Sequence, residues 1–162
     1  MATSEVGLSN RDLTGLPDCS HMHIGIAVSE WNVEITSALL EGALDTLKKA
    51  GIPAKHITVY NTPGSFELPL AAQFLIHHIN PDAVICLGSV IRGETDHFTF
   101  VCNATASGIS EVSLKHNVPV IFGVLTDNTL AQAKARAGGE HGNKGVEAAY
   151  TAIKMVLLQR RG

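Results

Sequence analysis

The segment Ala83-Val84-Ile85-Cys86-Leu87 is apolar at every position, so both faces of a strand formed by it would be apolar. Strands buried on both faces are typical of parallel sheets that helices cover on either side. A long helix is predicted soon after this segment, from about Phe98 to His116. The segment therefore predicts a central parallel strand in an α/β domain.

Apolar runs alternate with helical periodicity on both sides of this segment. The run from His23 to Val28 precedes a helix that Asn32 caps and Gly51 ends. Right-handed crossovers between such units predict a four-stranded parallel sheet with helices on both faces, a three-layer α/β/α sandwich. The other predicted strands are His56–Tyr60 and Pro119–Val124, and the other predicted helices are Phe66–Ile79, Thr129–Ala137 and Gly145–Arg160, with a glycine-rich loop over residues 138–145.

The composition excludes some classes of protein. The 162 residues carry a formal net charge of −3 with no run of like charge, so no nucleic-acid partner is expected. Hydrophobic residues make up 45% and charged residues 17%, which is apolar for a small monomer and indicates either that an element is buried on both faces or that subunits associate. No linker divides the chain, so we expect a flexible arm over residues 1–20 and a single domain over residues 21–162.

The cysteines and the N-terminal residues bear on the compartment. Cys19, Cys86 and Cys102 are odd in number and lack Cys-x-x-Cys spacing, which indicates reduced thiols, with Cys86 in the core. The first twenty residues are polar and contain neither the apolar core of a signal peptide nor a membrane span. These features predict a soluble, cytoplasmic protein that does not bind membranes.

Ligands of parallel sheets bind beyond the carboxyl ends of the strands, so the loops there are the candidate sites. The first loop holds Trp31, which either stacks on a heteroaromatic ring or packs on the next helix or another subunit. The second loop, Asn61–Glu67, offers backbone amides and the Glu67 carboxylate to a polyol or a ring edge. Turn and capping chemistry alone also explains this second loop.

The third loop, Ser89–His97, contains donors, acids, a cation and an imidazole in nine residues before a helix. A helix N-terminus attracts phosphate. The same helix dipole disfavours a protonated His97 ring, so a neutral imidazole can act there as a general base. The other seven of the eight histidines lack the spacing of a metal site, so no bound metal is expected.

Cations follow the fourth strand. Lys134 and Arg136 on the next helix, and Lys144 in the glycine-rich loop, either bind an anionic ligand or remain solvated. The sequence has no Walker phosphate loop, no dinucleotide-binding glycine motif and no Gly-x-Ser-x-Gly elbow. The residues alone therefore indicate an α/β domain that binds a small anionic or heteroaromatic ligand.

Four motifs stand in order at these loops: Pro63–Pro69, Gly88–Phe98, Phe122–Thr126, and Arg136–Gly138 with Gly142–Gly145. With their spacing, they resemble the lumazine synthase family, and the similarity covers nearly everything after the arm. The resemblance implies a flavodoxin-like fold and a cofactor-free condensation of 5-amino-6-(D-ribitylamino)uracil with 3,4-dihydroxy-2-butanone 4-phosphate to 6,7-dimethyl-8-ribityllumazine. Imine formation, phosphate elimination and ring closure require proton transfer and phosphate binding.

The resemblance also implies roles for single residues. Trp31 stands where the family places an aromatic residue that stacks on the pyrimidine, and Asn32 follows it as in the family. His97 matches the proton-transfer residue, and Arg136 matches the phosphate-binding residue. The other matches are Ser65, Phe66 and Glu67 for the ribityl chain, Ser89, Val90 and Ile91 for the pyrimidine edge, Glu94 and Thr95 for the phosphate-side turn, and Phe122, Arg136 and Lys144 as residues that the adjacent subunit supplies.

The family forms homopentamers, some of which assemble further into sixty-subunit shells, and the short loop over residues 138–145 favours the shell. Ala135, Glu140 and His141 depart from the family pattern near the phosphate, and Glu94 is an awkward neighbour for an anion unless its backbone amide binds. The alternatives are a flavin-binding or signalling module, a scaffold that has lost the chemistry, and a riboflavin-forming relative that uses two lumazine molecules.

Overall fold

A computed structural model describes Leu8 and residues 12–161. Within these residues, four parallel strands form one sheet in the order β2-β1-β3-β4, and helices cover both of its faces. A small two-stranded antiparallel sheet pairs β5 with β6. The strands are β1 (Ile24–Ser29), β2 (Ile57–Thr62), β3 (Ala83–Ile91), β4 (Val120–Asp127), β5 (Ala137–Gly139) and β6 (Gly142–Asn143), and the helices are α1 (Val33–Lys49), α2 (Leu68–Ile79), α3 (His97–His116), α4 (Leu130–Arg136) and α5 (Lys144–Gln159).

The two faces of the sheet carry separate apolar cores, as the sequence of the central strand predicts. Ala83, Ile85 and Leu87 pack into the core beneath α1 and α5. Val84 and Cys86, which alternate with them, pack into the core beneath α2 and α3. All five are fully buried, so β3 is one of the two inner strands of a three-layer α/β/α sandwich, consistent with a flavodoxin-like fold.

The carboxyl end of β3 extends further than the sequence predicts. The strand continues past Leu87 to Ile91 because it remains paired with β4 as far as Ile91 opposite Asp127. Ser89, Val90 and Ile91 therefore lie on a strand and not in the predicted loop. The strand brings these residues to the carboxyl edge of the sheet, where the predicted site lies.

Two other local predictions also differ from the structure. The helix expected from Phe66 begins at Leu68, after a 3₁₀ turn over Ser65–Glu67, and Pro69 stands in its first turn. The glycine-rich stretch is not a plain loop, because β5 and β6 pair within it, with Ala137 opposite Asn143. Strands of two or three residues carry too little periodicity for a sequence pattern to reveal them.

Part of the predicted N-terminal arm packs on the domain. Leu16 and Cys19 contact the core beneath α1 and α5, and Cys19 is 1% exposed. Residues 1–7 and 9–11 of the predicted arm lie outside the described residues. The boundary at residue 20 and the flexibility of the arm stay predictions. In the part of the chain that the structure describes, no helix is long and apolar enough to cross a membrane.

Candidate functional site at the carboxyl edge of the sheet

The turn between β1 and α1 presents the indole of Trp31. This side chain is 72% exposed, so within the chain it does not pack on the following helix. Asn32 stands at the N-cap position with φ 57°, and its side chain makes no capping hydrogen bond. Its amide Nδ2 instead donates to the carbonyl oxygen of Ser89 at 2.9 Å. Asn32 is thus the N-cap residue that the sequence predicts, but its side chain does not cap the helix and instead ties the Trp31 turn to the end of β3.

The 3₁₀ turn Ser65–Glu67 follows β2 at the same edge of the sheet. Phe66 is 57% exposed and Glu67 is exposed, whereas Ser65 is buried. The Ser65 carbonyl accepts a hydrogen bond from Thr105 Oγ1 on α3 at 3.1 Å. A methyl group on Gly88 would lie 2.5 Å from Ser65 Oγ, so only glycine on β3 lets the turn approach this closely. The turn is therefore held against both β3 and α3.

Three buried serine hydroxyls at this edge have no hydrogen-bond partner within the described residues: those of Ser29, Ser65 and Ser89. Buried polar atoms are nearly always paired with protein, water or ligand, so three together indicate a place where a polar molecule binds. Sequence reasoning missed Ser29. Its signal was a polar residue that ends the apolar run of β1, two positions before Trp31.

The turn between β3 and α3 carries the most polar residues of the edge. Glu94, Thr95 and His97 are all exposed, and His97 is the first residue of α3. No hydrogen bond to the His97 imidazole occurs within residues 12–161, so its ring nitrogens are available to a ligand. Arg92, at the start of this turn, is held in place: its Nε donates to Asn128 Oδ1 at 2.9 Å, and its guanidinium lies 4.3 Å from the centre of the Phe98 ring.

We call these residues the sheet-edge group, because they lie at the carboxyl ends of three neighbouring strands or in the turns that follow them. β1 lies between β2 and β3, so the Trp31 turn lies between the other two segments. The group is defined by Ser29, Trp31, Asn32, Ser65–Glu67, Ser89–Ile91, Glu94, Thr95 and His97.

The remaining predicted residues, Phe122, Arg136 and Lys144, form what we call the β4-side group. Phe122 lies opposite Cys86, three positions before the partner of Ser89, and is 37% exposed on the outer strand of the sheet. Arg136 ends α4 and Lys144 begins α5. No hydrogen bond or ion pair in the described chain joins these three residues to the sheet-edge group.

Both cations of the β4-side group face carboxylates of their own chain. Arg136 Nε lies 3.7 Å from Asp127 Oδ1, and Lys144 Nζ lies 3.0 Å from Glu147 Oε2. Burial raises the pKa of Asp127, and the Arg136 guanidinium lowers it by a smaller amount. Lys134, the other cation of α4, pairs with Glu34 at 2.8 Å.

Two other kinds of reactive group are metal-binding clusters and thiols. Among the described residues, no three His, Cys, Asp or Glu side chains are placed to hold a metal ion. Burial raises the pKa of the Cys86 thiol to about 12, so this thiol stays protonated in the core. What the site offers is an aromatic surface, unpaired hydroxyls, an imidazole and cations.

The fold and the site together define an α/β enzyme with candidate ligand groups at the carboxyl edge of a parallel sheet. Residues 21–160 match the family model described as 6,7-dimethyl-8-ribityllumazine synthase. The chain is 52% identical over 156 residues to the protein of that name from Parabacteroides distasonis, covering 96% of this chain and 98% of the relative. The homologue from Cytophaga hutchinsonii is 58% identical over 87% of this chain and 89% of its own length.

The homologue from Porphyromonas gingivalis is 49% identical over 99% of both chains. The chain therefore belongs to the 6,7-dimethyl-8-ribityllumazine synthase family, and it is a transferase of riboflavin biosynthesis.

Proposed function

We propose that the chain condenses 5-amino-6-(D-ribitylamino)uracil with 3,4-dihydroxy-2-butanone 4-phosphate to give 6,7-dimethyl-8-ribityllumazine, phosphate and water, without a cofactor. The amine of the pyrimidine attacks the ketone and forms an imine, phosphate leaves by elimination, and a second imine closes the ring. The observation that carries this proposal is the sheet-edge group, where three unpaired buried hydroxyls lie at the same edge as an exposed indole and an exposed imidazole.

The pyrimidine substrate is assigned to the sheet-edge group. The exposed face of Trp31 stacks on the heteroaromatic ring, since offset stacking of flat π systems is favourable. Asn32 holds that turn to β3 through its 2.9 Å bond. The ring edge lies against Ser89, Val90 and Ile91, and the ribityl hydroxyls bind the turn formed by Ser65, Phe66 and Glu67.

Proton transfer is assigned to His97, and phosphate binding to the turn before α3 and to the β4-side group. His97 moves protons between the amine, the leaving oxygen and solvent as the imines form. The backbone amides of Glu94 and Thr95, before the N-terminus of α3, contact the phosphate, because a carboxylate cannot. Arg136 binds the dianionic phosphate group, and Phe122 and Lys144 lie beside the bound phosphate.

In this proposal, the β4-side group of one subunit completes the sheet-edge group of the next. A homopentamer provides this contact, and association into a sixty-subunit shell is the further assembly that we propose. Large apolar side chains remain exposed on the single chain, as expected of a subunit of an assembly. They include Phe66 in the turn before α2, Leu70 and Phe74 on α2, and Phe100 and Leu114 on α3. We place the assembled enzyme in the cytoplasm.

The test is to mix the purified protein with both substrates and follow the fluorescence and mass of the lumazine product, with a protein-free control for the spontaneous reaction. Acceleration over that control supports the proposal. A folded, oligomeric protein that gives no acceleration contradicts it and favours a scaffold, and conversion of added lumazine to riboflavin favours the riboflavin-forming relative.

A further inference from the structure

Asp127 is a buried carboxylate to which the sequence assigned no role. It ends β4 opposite Ile91, and it is 8% exposed. Its Oδ2 atom is buried without a hydrogen-bond partner in the described part of the chain. Buried carboxylates are costly unless they are paired, so this residue needs a physical explanation.

The partner of the Asp127 carboxylate is the guanidinium of Arg136, which it contacts only through Nε. Oδ1 lies 3.7 Å from Nε, the nitrogen nearest the aliphatic part of the side chain. No hydrogen bond within residues 12–161 engages the two terminal nitrogens, Nη1 and Nη2, of Arg136. A guanidinium held at Nε still offers this terminal pair of nitrogens, whose spacing matches two oxygens of a phosphate.

The chain between the two residues is short and internally bonded. Asp127 stands before α4 and Arg136 ends it, so the helix fixes their separation. The Thr129 side chain caps the helix by accepting from the Gln132 amide at 3.2 Å, and the Gln132 side chain accepts from the Asn128 amide at 2.9 Å. The Asp127 carbonyl accepts from the Arg92 amide at 2.9 Å. The carboxylate therefore stands on a rigid support.

We propose that Asp127 is a positioning residue that holds Arg136 by Nε and leaves its two terminal nitrogens to bind the phosphate of the butanone substrate. This inference rests on the proposed role of Arg136. Burial raises the pKa of Asp127, so its surroundings disfavour the charged carboxylate and the ion pair is a poor source of stability. A charge that costs stability beside a ligand-binding cation is typical of a functional site.

The test compares Asp127→Asn with the wild type in the assembled protein. We expect the KM for the butanone phosphate to rise about tenfold, with kcat and the KM for the pyrimidine within twofold, because a misoriented guanidinium loses one of two phosphate bonds. The dissociation constant of inorganic phosphate, measured by calorimetry, is expected to rise in parallel. Asp45→Asn is the control, because it makes the same charge change in an exposed pair with Lys49 on α1.

A double variant separates orientation from a merely structural effect. Arg136→Ala alone raises the KM for the butanone phosphate, and adding Asp127→Asn to it changes that KM no further if Asp127 acts through Arg136. An equal additional loss in the double variant overturns the inference. So does an unchanged or tighter phosphate affinity in Asp127→Asn when Arg136→Ala is impaired. An unimpaired Arg136→Ala overturns the proposed role of Arg136 itself.

Discussion

The sheet-edge group and the β4-side group differ in how their polar atoms are paired. The sheet-edge group leaves polar atoms unpaired: the hydroxyls of Ser29, Ser65 and Ser89 have no partner within the described residues. The β4-side group holds its cations against carboxylates, as in the pair of Arg136 and Asp127. The first arrangement suits a neutral heterocycle with many hydrogen-bonding atoms, and the second suits an anion that displaces or joins an existing charge pair.

The comparison also shows why neither group is sufficient alone. Among residues 12–161, the sheet-edge group has an imidazole and an aromatic surface but only Arg92 as a nearby cation, and that cation is already engaged by Asn128 and Phe98. The β4-side group has cations but lies beside the outer strand. Two such incomplete halves are the expected form of a site that two subunits share.

The largest expected effect is at His97. We expect His97→Ala to lower kcat by about 10² to 10⁴, the usual contribution of general acid–base catalysis, without altering assembly. Turnover with both substrates saturating measures kcat, and sedimentation measures the state of assembly. His77→Ala is the control, since His77 is an exposed histidine in the last turn of α2. Unchanged turnover in His97→Ala would remove the proton-transfer role.

Trp31 comes next. We expect Trp31→Ala to raise the KM for the pyrimidine substrate about tenfold, because it removes the stacking surface, and Trp31→Phe to restore most of it. The KM for the butanone phosphate should stay unchanged in both variants, since this side chain belongs to the sheet-edge group. A loss of equal size for both substrates would show that Trp31 acts on assembly and not on stacking.

The hydroxyl of Thr105 tests how the Ser65 turn is held. Thr105 Oγ1 lies 3.1 Å from the Ser65 carbonyl and 2.7 Å from the carbonyl of Val101 on its own helix. Thr46 is a matched control, because within the described part of the chain its buried hydroxyl makes only the bond within its helix, to Gly42 at 2.8 Å. We expect Thr105→Val to lower the free energy of unfolding by about 1 kcal/mol more than Thr46→Val.

That difference corresponds to a Tm about 2–4 °C lower at equal protein concentration. Equal thermal shifts in the two variants would mean that the bond between α3 and the Ser65 turn contributes nothing.

The smallest effect concerns stability and pH at Asp127. Its pKa is raised above the ordinary value of 3.8, so the folded chain binds a proton more readily than the unfolded chain. Stability therefore falls as the pH rises through this window, and the charged carboxylate costs stability at neutral pH. We expect Asp127→Asn to be more stable than the wild type at pH 7, with the difference lost as the pH falls below 3.8. A less stable variant at pH 7 would contradict the assigned cause of the shift.

Local pattern predicts the central features of this molecule. The apolar segment Ala83–Leu87 reveals a strand buried on both faces, because a strand covered by helices on either side cannot have a polar face. The rule that ligands bind at the carboxyl ends of parallel strands then places Trp31, Ser65 and His97 at one edge. These predictions depend on periodicity and topology, both of which a single chain carries.

The features that sequence could not predict depend on distant partners. The sequence predicts Asn32 as the N-cap residue of α1, but not that its side chain donates to the carbonyl of Ser89, which lies 57 residues away. The extension of β3 to Ile91 depends on pairing with β4, and no residue of the extension signals it alone. The pairing of Asp127 with Arg136 likewise requires the fold, because the intervening helix brings the two side chains together.

The central claim is that the two groups form one site across a subunit contact. It is tested by dissociating His97→Ala and Arg136→Ala variants, mixing them in equal amounts, reassembling them and measuring lumazine formation at a butanone phosphate concentration below the wild-type KM. Random mixing restores both intact halves to roughly a quarter of the sites, so we expect about that fraction of wild-type activity from two nearly inactive proteins. Mixed assemblies that remain as inactive as either variant alone would contradict the claim, because a site within one chain has no intact copy in the mixture.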